Sequence, residues 1–507
     1  MSDAGPEPPA SGVPAPESEW RRLDARMLLI HPVETVVRLL PALLALLVAR
    51  ANSDSDQPWE LYALPVIVAF GVLRWFTTRY RITGGRIDLQ RGLLTKQTTT
   101  AQLDKVRTVD LTARVYHRLL GLAKVEISTG GSHRDRLVLD SLRVDEGRRL
   151  RAELLHRIDP AVTGLPAPTG MPVTVDATRT DEPAPTDEQL VRLDPSWVRY
   201  APFTLTGIAT AAAGVGVLFQ SLGRVRDQGE VIASGTEWVR GLAIWVDVLL
   251  LLTLVSVLAV GAYVLNFWGF RLTRNRLGSL HTRRGLLTTR ETSIDHGRVR
   301  GVQVDEPAGL RLIGARRLKV VTTGLLRERG GADWLVPPAP AVEVVRVATD
   351  VVEDDDAVTA PLQPHGRAAL RRRLTRTLVP AVVVLAALLV LRSATDAPAG
   401  WFAGAPVLLA LAAWLAVDRY AGLGHRVTPR HLVVREGSLD RHRVALRRDG
   451  VIGWTVRRSF FQRRAGVATL VATTAAGASH YDVVDVPVER AYEVMDEISP
   501  ELLAEFR

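Results

Sequence analysis

The chain contains no cysteine. That one absence excludes disulfides, thiolate zinc sites, iron-sulfur clusters and cysteine nucleophiles, and it removes thiols as a clue to redox compartment. Lysine is nearly absent too: Lys96, Lys105, Lys124 and Lys319 are the only ones among 64 basic residues, the rest being arginine. With abundant alanine, valine and glycine, this bias reads as GC-rich bacterial codon usage. Aromatic residues make up 6% of the chain, and neither a stacking platform nor a recognition-helix pattern accompanies the arginines. The formal charge of +10 therefore does not read as nucleic-acid binding. It suits equally a protein lying against an anionic leaflet.

Catalytic punctuation is missing as well. There is no GxxxxGK[ST] phosphate loop, GxSxG elbow, GxGxxG turn or HExxH pair. His425, His431 and His442 are near one another in sequence, but side chains on a strand, turn and strand need not converge, so no metal is expected. No catalytic residues and no cofactor are expected either, and the chain reads as something other than an enzyme.

What is present is apolar text in pairs. The runs Val33 to Ala49 and Trp59 to Phe76, Tyr200 to Leu222 and Gly241 to Phe267, and Leu374 to Leu391 and Trp401 to Val417 have the length of membrane-spanning helices, roughly 17 to 25 residues. Each pair has a short connector and reads as a helical hairpin. Arginine crowds the outer flanks, as in RWFTTRYR and RAALRRRLTR, while ANSDSDQPWE and SATDAPAG carry none. The positive-inside rule then places the large polar segments in the cytoplasm. Glu34 and Arg38 weaken the first run, which suits either a full span or a half-inserted interfacial helix. Asp247 stands in the fourth run, where snorkelling or pairing with Arg240 competes with a functional role.

Each hairpin is followed by related polar text: YRITGGRIDLQRGLL, FRLTRNRLGSLHTRRGLL and HRVTPRHLVVREGSL. The shared signature is Arg81 and Thr83, Arg271 and Thr273, and Arg426 and Thr428, closed by Gly92, Gly285 and Gly437. A second match is centred on Gly121, Gly314 and Gly466, which follow the first glycines by 29 residues in all three repeats. Alternating apolar residues predict short antiparallel strands in each repeat. A helical pattern closes it, as in PVERAYEVMDEI, where Pro487 suits a helix start.

These motifs resemble the bacterial pleckstrin-homology-like domain found in membrane proteins of the YdbS and YdbT type. The resemblance covers the three polar units and their hairpins, and it implies a small barrel capped by a C-terminal helix at a membrane, with no established catalysis. The expected fold is therefore an α+β membrane protein: three transmembrane hairpins, six helices in all, each followed by a PH-like antiparallel β-barrel or sandwich with a C-terminal helix. The expected boundaries are a disordered tail at 1–24, hairpins at 25–76, 200–268 and 372–419, and domains at 77–158, 269–352 and 420–507. Extended linkers are expected at 159–199, rich in Pro and acid, and at 353–371, which is acidic; both would let the units move independently.

The basic turns at Arg86, Arg274, Arg276, Arg430 and His431 are the candidate contacts for anionic headgroups or an anionic partner, since the arginine fork suits phosphate. The competing reading is that these residues only satisfy membrane orientation. Membrane lipids are the expected partners, with a protein partner or homo-oligomer as a further candidate through sheet edges. The functional expectation is a binding or scaffolding protein at the inner leaflet; the alternative is a transport or channel subunit working through the six spans.

Overall fold

The computed structural model describes residues 21–22, 79–149 apart from short gaps, 188–204, 237–323 without residue 277, 333–394 and 404–501. The expected spans at 33–49 and 59–76, most of the third span, most of the tail and the linker as far as residue 187 lie outside the described residues. The chain divides into two compact units, Met1–Arg179 and Thr180–Arg507.

In the first unit, β1 (Arg79–Thr83), β2 (Arg86–Arg91) and β3 (Gln97–Gln102) form an antiparallel sheet in that order, with Arg21–Arg22 pairing along β1. After β4 (Thr108–Ala113) and the short α1 (Val115–Leu119), β5 (Leu122–Ser128) and β6 (Arg136–Arg143) continue an antiparallel ladder. Alternation decides the faces: Ile87 and Leu89 of the first sheet meet Val109, Leu111, Val125, Ile127, Leu137 and Leu139 of the second in one buried cluster.

The second unit holds the other two repeats. Its first repeat comprises β7 (Glu188–Arg192), a 3₁₀ helix at Pro195–Phe203, α2 (Glu237–Phe267), β8 (Arg271–Arg274), β9 (Leu280–Arg284), β10 (Thr289–Ile294), β11 (Val299–Pro307), α3 (Ala308–Leu312), β12 (Ala315–Thr322), β13 (Trp334–Pro340) and α4 (Ala341–Val352). Then follow α5 (Asp355–Thr359), α6 (Gly366–Ala394) and α7 (Ala405–Ala421). The last repeat is β14 (Gly424–Val427), β15 (His431–Glu436), β16 (Asp440–Arg447), β17 (Val451–Arg457), α8 (Phe460–Ala465), β18 (Val467–Thr474), β19 (His480–Pro487) and α9 (Val488–Ile498). Pro487 caps α9, which stops at Ile498 and resumes at Pro500.

The repeat glycines have one conformational job each. Gly121, Gly314 and Gly466 end α1, α3 and α8 at φ 68, 66 and 66, a left-handed helix end that glycine enters without a Cβ penalty. Gly285 and Gly437 sit at φ 103 and 98, where a Cβ would collide with the carbonyl oxygen of Thr288 or Asp440. A third common feature was not visible in the sequence. In every repeat the last strand carries a bulge at one place: between Leu139 and Leu142, between Val336 and Ala339, and between Val483 and Val486.

The second linker expectation and the described end of the first need correction. Residues 188–199 do not form a free tether: β7 pairs with β8, and Leu190, Val191, Trp197 and Tyr200 are buried in the repeat's core. Tyr200–Phe203, expected to open the third span, instead ends that 3₁₀ helix. The acids of 353–371 start a helix. Asp354 accepts a hydrogen bond from the Ala357 amide, Asp355 and Asp356 occupy the first turn of α5, and Ala357 and Val358 are buried. Acids in a first helical turn are favoured by the exposed amides there.

The two repeats of this unit share a sheet. Its strand order is β13-β12-β11-β16-β15-β14, so the last sheet of one repeat runs into the first sheet of the next. At the seam Gly301 faces Leu446, Asp305 faces His442 and Glu306 faces Arg441, and the Ala308 amide donates to the Leu439 carbonyl at 2.7 Å. Sheets β10-β9-β8-β7 and β17-β18-β19 complete the sandwiches. Among the described residues the sheets pack as sandwiches, and none closes on itself as a barrel.

Two described helices are long and apolar enough to cross a membrane, Leu249–Phe267 of α2 and Gly366–Ala394, where six spans were expected. Their large apolar side chains are exposed, Leu250, Leu254 and Val257 on α2 and Val383 and Val390 on α6 among them, as on helices surrounded by lipid. The expected sixth span corresponds to α7, 17 residues that pack on α6. Asp247 falls in α2, but its side chain lies outside the described residues.

Candidate functional site

A cavity of about 430 Å³ opens where the two repeats of the second unit meet. Its walls come from the end of α4 (Val351, Val352, Glu353), the turn between β14 and β15 (Pro429, Arg430, His431), the turn after β16 (Arg447, Arg448, Asp449) and His296. Three arginines thus stand against two carboxylates. Arg430 is exposed and makes no ion pair among the described residues. Arg447 holds Asp449 at 2.7 Å, and Arg448 reaches Glu497 at 3.6 Å. The two turns are tied together: the Thr428 amide donates to the His431 carbonyl, and the Arg448 amide donates to the Arg430 carbonyl at 2.9 Å. Glu353 adopts the left-handed conformation at φ 56 that ends α4.

A buried polar cluster sets the position of this wall. Asp354 Oδ2 accepts from Thr428 Oγ1 at 2.8 Å and lies 2.9 Å from His431 Nδ1. Burial alone would raise the Asp354 pKa, but the hydrogen bonds from His431, Thr428 and the Ala357 amide hold it below the ordinary carboxylate value. An ionised carboxylate can only accept, so His431 donates from Nδ1. Burial depresses the His431 pKa in spite of Asp354. His431 is therefore a buried positioning residue on the inner side of the wall, and Arg430 presents the free cation.

The other candidates do not converge here. Arg274 donates to the Asp350 carbonyl at 2.8 Å and is half-buried. Arg276 is exposed in the loop between β8 and β9, and Arg86 starts β2 within 3.9 Å of Asp88. The Arg81 guanidinium donates to Asp88, Arg426 donates to the Pro361 carbonyl, and Arg271 is exposed. Sequence reasoning missed Arg447 and Arg448, since Arg447 ends an ordinary strand and Arg448 follows it. The signal that would have found them is the run RRDG, two arginines and an acid in the turn just before the next strand.

The three neighbouring histidines go separate ways. His442 approaches Glu436 at 3.1 Å; burial works against its charge, yet Glu436, Asp305 and Asp440 raise its pKa. His425 Nδ1 lies 3.0 Å from His365 Nε2, and His365 Nδ1 lies 2.8 Å from the Val484 carbonyl. That carbonyl must accept, so His365 donates from Nδ1, His425 donates to His365, and the buried His425 Nε2 is left without a hydrogen-bond partner among the described residues. Burial lowers the pKa of both, that of His425 to about 3. Among the described residues, no group of three or more His, Cys, Asp or Glu could hold a metal.

A pH dependence follows. The folded pKa values of His365 and His425 lie below the unfolded value, so their contribution to stability is complete above about pH 6.5 and is lost as pH falls toward the folded values. The slope is at most about 1.4 kcal/mol per pH unit for each histidine. Thermal unfolding of the full chain in neutral nanodiscs should show the melting temperature falling from pH 7 to pH 5. The double variant His365→Gln and His425→Gln should flatten that fall; an equally steep fall would assign it to other groups.

The sequence profile of the family described as Bacterial PH domain matches three times, over residues 29–158, 217–350 and 376–502. The chain belongs to the bacterial PH domain family. Those matches take in each repeat of the bacterial PH domain together with the apolar text before it. The chain is also similar to the UPF0699 transmembrane protein YdbT of Bacillus subtilis (strain 168), 24% identical over 92 residues, which is 18% of this chain and 19% of the relative. The alignment thus spans about a fifth of that curated relative. No solved structure matches the chain.

Proposed function

We infer that this bacterial PH domain protein is a multi-pass protein of the plasma membrane. In this reading its apolar text forms three hairpins of six spans, and its polar PH-like domains lie on the cytoplasmic side. Its work is binding or scaffolding without catalysis, and its site takes a phosphate-bearing anion at the leaflet. The observation that carries this is the convergence of Arg430, Arg447 and Arg448 on one cavity. Support for membrane anchoring comes from the exposed apolar surfaces of α2 and α6 and from the transmembrane relative. Spans whose exposed large side chains are mainly apolar favour this reading over a transport or channel subunit, which needs polar groups along its spans.

The test uses the full chain in phosphatidylcholine nanodiscs, titrated calorimetrically with inorganic phosphate and with soluble short-chain phosphatidylglycerol. Binding should weaken as salt is raised. A lost charge-assisted hydrogen bond is worth about 1.5–3 kcal/mol, so Arg430→Ala and Arg448→Ala should each weaken it about tenfold or more. Arg86→Ala and Arg276→Ala should leave it unchanged. Equal affinity in the wild type and the Arg430 and Arg448 variants would overturn the site.

A further inference from the structure

The seam between β11 and β16 has a counterpart that nothing covers among the described residues. By the repeat alignment on Gly314 and Gly466, β17 corresponds to β11: Gly453 stands where Gly301 stands, Arg457 where Asp305 stands, and Arg458 where Glu306 stands. Yet β17 is an outer strand of its sheet, hydrogen-bonded only to β18 among the described residues.

Gly301 has a steric reason to be glycine. A Cβ there would collide with the Ala445 carbonyl oxygen and come within 3.1 Å of the Leu446 Cα, because β16 lies so close. At Gly453 a Cβ would meet nothing within 4 Å. Ile452, beside it, is 60% exposed. The gap that β16 fills along β11 is thus present along β17, and open among the described residues.

Charge then distinguishes what would fill it. On β11 the acids Asp305 and Glu306 face His442 and Arg441 of the incoming strand. On β17 the same two places hold Arg457 and Arg458, both exposed and without an ion pair among the described residues. Like charges opposed across a strand pair destabilise it, and opposite charges stabilise it. The strand that fits β17 therefore carries acids where β16 carries His442 and Arg441. In a second copy the strands at the β16 place are β3, β10 and β16 itself, which by the same register bring Gln97 and Lys96, Arg290 and Thr289, or His442 and Arg441 to those places. A basic residue against Arg457 or Arg458 disfavours each of them.

We propose that the outer edge of β17 is a docking site for an extended segment of another protein, one that adds an antiparallel strand and sets two adjacent carboxylates against Arg457 and Arg458. Main-chain hydrogen bonds give such a site its affinity, and the side-chain pairs give it selectivity. The proposal does not depend on the anion cavity.

The test is fluorescence anisotropy with the full chain in neutral nanodiscs and two labelled peptides. One is GSLDRHRVALRR, the natural sequence of residues 437–448; the other is the same peptide with Arg441→Glu and His442→Glu. The acidic peptide should bind at least about tenfold more tightly, a ratio that one well-placed charge contact can supply. Gly453→Val should abolish this binding while leaving the melting temperature unchanged. Arg457→Glu with Arg458→Glu should reverse the preference, and Arg430→Ala should leave it alone. The proposal is overturned if the acidic peptide fails to bind, if its advantage survives the charge reversal, or if Arg430→Ala removes it. It is overturned equally if the full chain self-associates and Gly453→Val dissociates it, since the occupant would then be a second copy.

Discussion

Replacing Asp485 with alanine should destabilise the last repeat by about 3–5 kcal/mol, the cost of removing one partner from a buried ion pair. Asp485 is fully buried and occupies the bulge of β19 in the left-handed conformation at φ 56. Its carboxylate oxygens lie 2.9 Å from Arg372 Nε and 3.0 Å from an Arg373 terminal nitrogen, and Oδ1 accepts from Gln462 Nε2 at 3.0 Å. Both arginines belong to α6, a helix long and apolar enough to cross a membrane. The contact therefore joins that helix to the last repeat. Without the carboxylate, two guanidinium groups with little solvent access would lose their counter-ion, so the loss exceeds that of an exposed bridge. Differential scanning calorimetry of the full chain in neutral nanodiscs measures it. A change below about 1 kcal/mol, the range of a surface pair, would show that α6 is held by other contacts.

Gly301→Val should have the second large effect, because the colliding atoms are backbone and cannot move aside as a flexible side chain would. Overpacking a filled interior costs about 1–3 kcal/mol where neighbours can adjust, and here the neighbour is the strand β16 itself. The expected result is separation of β11 from β16 with each repeat still folded, since most of each buried cluster comes from one repeat: only Val433 and Ala445 of the last repeat enter the first cluster, and only Val321 of the other repeat enters the second. Hydrogen exchange should rise at the seam amides, including that of Ala308, and stay low along β18. Gly453→Val, the equivalent change on the open edge, should be silent in the same measurement.

The residues explain what was legible beforehand and what was not. Strands and closing helices could be read because alternation and helical periodicity are local, and the repeat glycines because each is required by the conformation or close approach of its own turn. The end of the first linker, 188–199, and the second linker were misread for a physical reason. Proline and acids mark an extended tether by composition, but Asp194 and Asp354 cap helices here, accepting from the Ser196 and Ala357 amides. The shared sheet was invisible because nothing in DRHRVALR states which strand will lie beside it. Arg430 was legible as a cation in a turn. Its convergence with Arg447 and Arg448 depends on a hydrogen bond between two turns, and His431 turned inward because Asp354, distant in sequence, was waiting for it.

The two repeats of the second unit are one body, joined through β11 and β16, with the basic cavity at their junction. The cysteine-free chain permits a direct measurement: Glu306→Cys with Arg441→Cys, treated with a short bismaleimide in nanodiscs and read by mass spectrometry of linked peptides. The two positions face each other across the seam, so the account predicts an efficient intramolecular link that is lost when Gly301→Val is added. Absence of the link in the otherwise unchanged chain, or its survival beside Gly301→Val, would contradict the shared sheet.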